Sequence, residues 1–433
     1  MTEMQFDHMT GLTGSVRAWR LRMVETLARW SRRSLWIGVG LSAVVGIALA
    51  AYHGSKLQFA DEHAYVAIAN NLAAHGRFSI DGVHPTAYRA PGWPLLLGLL
   101  RLLGGNVVVF RLANVALSMG SVAGGWWLAR RIGGDGAAAL AAPVLALYPF
   151  TVYTDATLFP QAFATALLVG GLVATVKASE SARRLGWAVV AGGLLGLLIL
   201  TVADLGVAAV GAALWLAFGS SRLRIAGAVV LATAIVVTST WILRNEITMH
   251  AFIPVADNSG YNLILADSAH AGVRSGVNTD VSSYGAKALI QAKESTLPRE
   301  VAFDNSLRDQ ALSWMRAHPV RAATLYIERV ADYFAPYDNL ATKGAVSKVG
   351  NLLATAVYLS LLALFLWRLV RWRSRRPTSL ETLLIVLYLA DALVDAVFVT
   401  RVRYRIPLDS LALVVVLTML TWLPRPEKAL PIA

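Results

Sequence analysis

The chain has 433 residues, 56% of them hydrophobic and 15% charged, with a formal net charge of +13. Soluble domains carry about 25% charged residues, so this composition excludes an ordinary soluble fold and, equally, a disordered chain. There is no cysteine, which excludes disulfides, thiolate metal ligands and a cysteine nucleophile.

What remains is an all-α polytopic membrane protein. A crossing takes about 20 mostly apolar residues. Ten spans are predicted, at 35–53, 107–129, 137–152, 157–176, 185–203, 205–219, 225–243, 349–369, 380–399 and 406–423. A basic N-terminus, 1–34, carries Arg17, Arg20, Arg22, Arg29, Arg32 and Arg33 and precedes the first span. That span reads as a signal anchor, because no small-residue cleavage site follows it. The loop 54–106 comes next, with a short surface helix after Asp61 and an apolar piece from Pro91 to Gly104, too short to cross and read as half-inserted. A segment of about a hundred residues, 244–348, separates the seventh and eighth spans, and helical spacing predicts helices over 303–317 and 320–334.

Basic clusters fix the orientation. Arg130 and Arg131, Lys177 with Arg183 and Arg184, Arg222 and Arg224, the run from Arg368 to Arg376, and Arg425 with Lys428 all fall on the side of the N-terminus when ten spans are counted. The positive-inside rule makes that side the cytoplasm. The surplus positive charge is thereby explained without nucleic acid. The organisation is a cytoplasmic N-terminus 1–34, a transmembrane core 35–243 containing the outer loop 54–106, an extracytoplasmic segment 244–348 and C-terminal helices 349–433.

The polar residues gather at the outer ends of the spans. Asp61, Glu62 and His63 open the surface helix, with Tyr65 on its apolar face. A carboxylate at the edge of hydrocarbon can act as a general base towards a hydroxyl, which makes Asp61 a candidate catalytic residue with Glu62 beside it. The pair could also hold a divalent cation. His84, Tyr88 and Arg89 precede the rigid turn Pro91-Gly92-Trp93-Pro94, which would fix Arg89 at headgroup depth for a phosphate. Asp155 follows the third span, Arg244 ends the seventh, and Arg401, Arg403 and Arg405 precede the tenth. Three arginines on an outer face run against the charge rule and need partners, either an anionic ligand or Asp391 and Asp395 of the ninth span. Acids and arginines converging on one membrane face suit a phosphate-bearing lipid, with the arginines stabilising charge on a departing phosphate. No Walker A, dinucleotide, H-E-x-x-H or G-x-S-x-G pattern is present.

Several of these runs resemble the glycosyltransferase C superfamily, specifically the bacterial relatives of protein O-mannosyltransferases and of the lipid A aminoarabinose transferase. The resemblance rests on Asp61-Glu62-His63-Ala64-Tyr65, on Thr86-Ala87-Tyr88-Arg89-Ala90-Pro91-Gly92-Trp93-Pro94, on Tyr148-Pro149-Phe150, on Trp241-Ile242-Leu243-Arg244-Asn245, on His318-Pro319 and on Arg401-Val402-Arg403-Tyr404-Arg405-Ile406-Pro407. It implies an inverting hexosyl- or pentosyltransferase of the bacterial inner membrane and cell envelope. Such an enzyme would move a sugar from undecaprenyl phosphate or a similar carrier to a lipid, glycan or protein, lipopolysaccharide among them. It implies Asp61 as base or acceptor ligand, and Arg89, Tyr88, Arg244, Arg401, Arg403 and Arg405 as holders of the carrier phosphate. His63, Tyr65, His84 and Asp155 would line the acceptor side. Two departures stand out. Gln161 replaces an acid common at the start of the fourth span, with Asp155 as its substitute, and Thr201-Val202-Ala203-Asp204 lacks an expected arginine. The rival reading is a flippase for a lipid-linked sugar. It would want polar residues through the midplane, whereas the predicted spans keep them at the ends.

Overall fold

The structure is a computed structural model, described over residues 14–274, 276, 279–337 and 347–421, without the side chains of 14–25, 27 and 28. Arg425 and Lys428, the first 13 residues, the side chains of Arg17, Arg20 and Arg22, and 338–346 of the predicted extracytoplasmic segment lie outside the described residues. Among the described residues the secondary structure is helical, apart from one isolated bridge between Arg274 and Thr400.

Helix α1 (Gly14–His53) runs up one side of the bundle, and α2 (Ala60–His75) and α3 (Gly92–Leu102) follow at its upper end. The next helical run, α4 (Val107–Leu147), starts where the Asn106 side chain accepts from the Val108 and Val109 amides at 3.0 and 3.2 Å. Gly134 interrupts it with φ 76° and ψ −163°, a conformation an L side chain resists. The chain reverses there. Trp126 of the first arm bonds to Ser31, and Ser34 bonds to Ala138 of the second, so both arms lie along α1. The two spans expected at 107–129 and 137–152 are these two arms.

The bundle continues through α5 (Pro149–Ala156), α6 (Gln161–Glu180), α7 (Arg184–Ile199), α8 (Val207–Gly219) and α9 (Arg224–Met249). It is completed by α14 (Lys348–Val370), α15 (Ser379–Asp395) and α16 (Val402–Leu420). Among the described residues, five helices are long and apolar enough to cross a membrane: Arg29–His53, Val107–Leu147, Gln161–Glu180, Ser221–Met249 and Lys348–Val370. Helices α7, α8 and α15, with 16, 13 and 17 residues, are shorter than a full crossing takes. Length alone therefore does not establish all ten predicted spans. The interior is rich in alanine and glycine, which lets backbones approach where lipid offers no hydrophobic drive. A Cβ on Gly38 would lie 2.5 Å from the Ala142 backbone.

Between α9 and α14 the chain forms α10 (Ser259–Ala266), α11 (Ser282–Glu294), α12 (Arg299–Ala317) and α13 (Pro319–Asp332), which cap the upper end of the bundle. Leu263, Ile264, Ala288, Leu307 and Ala311 form a small core of their own there. The two helices predicted in this segment are α12 and α13; α10 and α11 were not visible in the pattern. Arg329 ties the cap to the bundle, donating to the carbonyls of Ala266 and Ala396 at 2.7 Å each and to Asp267 at 3.0 Å.

Candidate active site

The site is built outward from the start of α2. Asp61 and Glu62 occupy its first turn, where the helix dipole favours acids. Glu62 is completely buried. One carboxylate oxygen accepts from the Gln58 and Phe59 amides (2.5 and 3.1 Å), the other from the Leu158 amide just before α6 (2.7 Å). Glu62 is thus a cap and a cross-link, which corrects the expectation that it stands beside Asp61 as a catalytic or cation-binding group.

Asp61, one residue earlier, points elsewhere. Its Oδ1 accepts from Arg89 Nη2 at 2.6 Å and its Oδ2 from Arg403 Nη1 at 2.7 Å. Burial pushes the Asp61 carboxyl up, but Arg403 and Arg89 outweigh it and hold its pKa below the usual carboxylate value. Aromatic rings flank both guanidiniums. Arg89 sits 4.8 Å from the Tyr88 ring and 5.5 Å from that of Tyr65, and Arg403 sits 4.7 Å from Phe159. The Nε of each arginine has no hydrogen-bond partner. Two cations therefore share one anion, and each keeps a spare donor.

Tyr65, Arg89 and Arg403 line a cavity of about 350 Å³. Its other walls come from Gln161, from Thr201 to Asp204, from the 254–262 stretch and from Asp395 and Tyr404. Gln161 is almost wholly buried, and its Oε1 has no partner. Both departures from the family pattern, Gln161 and the Thr201–Asp204 run, thus fall on the cavity wall. Asp155 does not. It accepts from Ser118 of α4, and burial outweighs that bond to push its carboxyl up to about 7. It does not line the cavity that Gln161 lines.

The loop that presents Arg89 is held from the cap. Glu300, in the first turn of α12, accepts from Thr86 Oγ1 at 2.6 Å and from the Ala87 amide at 2.7 Å. The Asp257 amide donates to the Ala87 carbonyl at 2.8 Å, and Asn258 donates to that of Tyr88 at 3.2 Å. Arg244 was expected at the phosphate. It instead donates to the Thr86 carbonyl and to Asn245, both at 2.9 Å, and stacks 4.7 Å from Trp241. Gly92 closes the same loop, its amide 2.7 Å from the Leu200 carbonyl. Sequence reasoning passed over Glu300, because an acid in a first helical turn is ordinary.

The three outer arginines separate. Arg403 and Arg405 are two apart on α16, about 200° around the helix, so they face opposite ways. Arg405 is fully buried, 3.2 Å from Asp409, and donates to the carbonyls of Ala335 (2.9 Å) and Tyr333. Its guanidinium lies 3.7 Å from the Tyr358 ring. It braces the fold and does not reach the cavity, which corrects its assignment to the phosphate. Asp409, which Tyr148 and Tyr388 also approach at 2.8 and 3.2 Å, was not anticipated as its partner. Asp391, offered as a partner for these arginines, accepts from Tyr333 instead at 2.8 Å. Arg401 donates to the Tyr404 hydroxyl at 3.4 Å and does not line the cavity. His63 is exposed on α2, and His84 pairs at 2.8 Å with exposed Asp81; neither lines the cavity.

The donor set does not suit a divalent cation. Both Asp61 oxygens are on guanidiniums, both Glu62 oxygens are on amides, and among the described residues no three acidic or histidine side chains gather to hold a metal.

No protein-family model and no curated protein matches the chain. Solved structures do. The oligosaccharyltransferase AglB from Archaeoglobus fulgidus, in complex with an inhibitory peptide and a dolichol-phosphate, is similar over 90% of this chain and 50% of that one, at 15% identity and TM-score 0.52. An Archaeoglobus fulgidus oligosaccharyltransferase in the apo form gives 0.54 over the same shares at 13% identity. ArnT from Cupriavidus metallidurans bound to undecaprenyl phosphate is similar over 87% of this chain and 77% of that one, at 14% identity and TM-score 0.44. The chain spans half the length of the archaeal enzyme. At these identities the finding is one of fold. The chain shares its fold with the archaeal oligosaccharyltransferase.

Proposed function

We propose that the chain is an inverting glycosyltransferase of the bacterial inner membrane. It takes a sugar from a polyprenyl-phosphate carrier, undecaprenyl phosphate in bacteria, and passes it to a lipid, glycan or protein acceptor at the outer face. The ten predicted crossings, with the basic clusters and both termini on the cytoplasmic side, would put the cavity outside. The observation that carries the reading is that Arg89 and Arg403, which line one cavity, share Asp61 just behind its wall, with a buried Nε on each that has no partner. Two guanidiniums and one carboxylate leave a net positive charge, which a phosphate would neutralise through charge-assisted hydrogen bonds. The solved relative with a dolichol-phosphate supports the same class of ligand.

The chemistry follows from the charge balance. A donor phosphate entering the cavity competes with Asp61 for Arg89 and Arg403. As the guanidiniums turn to the phosphate, Asp61 loses the interactions that depress its pKa and gains basicity. It then accepts the proton of the acceptor hydroxyl. That oxygen attacks the anomeric carbon on the face opposite the phosphate, and the bond from that carbon to the phosphate oxygen breaks. The polyprenyl phosphate leaves with the electron pair, its charge held by the two arginines. No step is routed through a metal.

The test is transfer in vitro, with purified protein, radiolabelled undecaprenyl-phosphate sugars and membrane extracts, and Asp61→Asn as the control. Label moving from carrier to a new product only with the unmutated chain is the expected result. Equal transfer by the variant would remove Asp61 from the role. Carrier that disappears from one leaflet and reappears intact in the other would favour the flippase.

A further inference from the structure

We infer that α13 is a membrane-surface helix, lying with its outward face in the lipid of the leaflet next to the active site. Its two long faces are both apolar. Ala322, Leu325 and Arg329 pack inward, the arginine with its head on protein carbonyls and Asp267. Val320, Ala323, Ile327 and Ala331 recur at the same helical spacing on the opposite side and are exposed, Val320 at 79% and Ile327 at 67%. Polar residues lie along a flank, where Arg321 and Glu328 approach to 3.6 Å.

Continuity with the bundle names the occupant. Helix α15 follows α14, a candidate crossing, through a short turn and packs back along it, with Glu381 on Arg368 and Tyr388 on Phe365; its exposed stripe is Val386, Leu389 and Leu393, continued by Val397 just past its end. On the ten-span reading, that stripe faces the hydrocarbon around the bundle. Tyr326, next to Ile327, donates its hydroxyl to the Leu393 carbonyl at 3.0 Å. The apolar face of α13 therefore begins where the lipid-facing stripe of α15 ends. Tyrosine at that junction is the residue type enriched at membrane interfaces, and an amphipathic helix with such a face lies in the interface plane.

The contacts at the end of α13 give this docking a bearing on the site. Asp332, its last residue, accepts from Thr400 Oγ1 at 2.8 Å. The next turn supplies the Tyr333 and Ala335 carbonyls that Arg405 grips. Thr400 and Arg405 bracket Arg403, so a helix fixed in the interface holds Arg403 at headgroup depth.

A chain without cysteine makes the test direct. Val320→Cys, Ile327→Cys and, as a water-facing control on α12, Asp309→Cys would be labelled with a polarity-sensitive thiol dye. The full chain would then be reconstituted in phosphatidylcholine vesicles, with or without lipids brominated near the headgroup end of the acyl chains. Emission at Val320→Cys and Ile327→Cys should shift to the blue and fall at least about twofold with brominated lipid, while Asp309→Cys stays unchanged. If labelled Ile327→Cys does not elute as the unmutated protein does, Ala323→Cys reads the same face. Identical responses at positions 327 and 309 would overturn the inference. So would quenching at 327 that grows only with protein density, which would assign the face to a second copy of the chain.

Discussion

Two arginine–aspartate clusters share helix α16, and they have opposite characters. Around Asp61, two guanidiniums divide one carboxylate at the edge of a cavity, and the side chains keep 16–20% of their surface exposed. Around Asp409, one guanidinium and two tyrosines converge on one carboxylate with no exposure at all. The first has positive charge in excess, while the second balances one cation against one anion; each cluster leaves an arginine nitrogen without a partner. The same pair of residue types can thus bind or brace. Access and stoichiometry decide between these roles, not the identity of the residues.

The sharpest way to break that contrast is to remove each carboxylate. Asp61→Asn should lower sugar transfer by about 10²–10⁴-fold, the range for a positioned base, while the protein elutes and melts as before. If the variant unfolds, the Asp61 cluster is a brace too. Arg405→Met leaves Asp409 buried without its cation and should cost about 3–5 kcal/mol of stability, seen as lost expression or a lower Tm. A stable variant with impaired donor binding would return Arg405 to the cavity. Glu300→Gln loosens the loop that presents Arg89 without touching the cavity. A raised KM for the donor, roughly fivefold for one weakened hydrogen bond of about 1 kcal/mol, with kcat kept, would mark a positioning residue.

A pH scan gives a smaller effect. Burial first, then Asp304 and Glu300, push the Asp257 carboxyl up to about 7. The folded protein keeps a proton that the unfolded chain releases near pH 4. The stability associated with Asp257 is therefore greatest below that value and falls as pH rises towards 7. Thermal unfolding from pH 5 to 8 should show the fall, and Asp257→Asn should flatten it. The smallest expectation is for His63→Ala, which should leave transfer within about twofold because a surface substitution away from such features changes little.

Much of the architecture was legible because its signals are local. Apolar runs bounded by arginines gave the helices, and the charge pattern gave one polar end. Asp61, Arg89 and Arg403 were legible because a charge at the edge of hydrocarbon needs a reason. What was not legible is direction. Glu62 differs from Asp61 by one position and Arg405 from Arg403 by two, and a helix turns such neighbours to different faces. The spacing says so, but only the packing says which face is wet. Arg244 was misplaced for a related reason: a carbonyl and a phosphate oxygen attract a guanidinium alike, and the carbonyls of the 78–86 loop are invisible in a list of side chains. Gly134 gave no warning either, since glycines crowd the whole 120–136 stretch.

The bond between Asp61 and Arg403 joins residues 342 positions apart. A chain made from its N-terminus emits Asp61 and Arg89 long before Arg403. Until α16 is inserted, the carboxylate has only one of its two cations and the cavity lacks a wall. The nascent chain would pass through the membrane machinery with the Asp61 cluster incomplete. The order of synthesis thus leaves the two-cation arrangement to the moment when α16 joins the bundle.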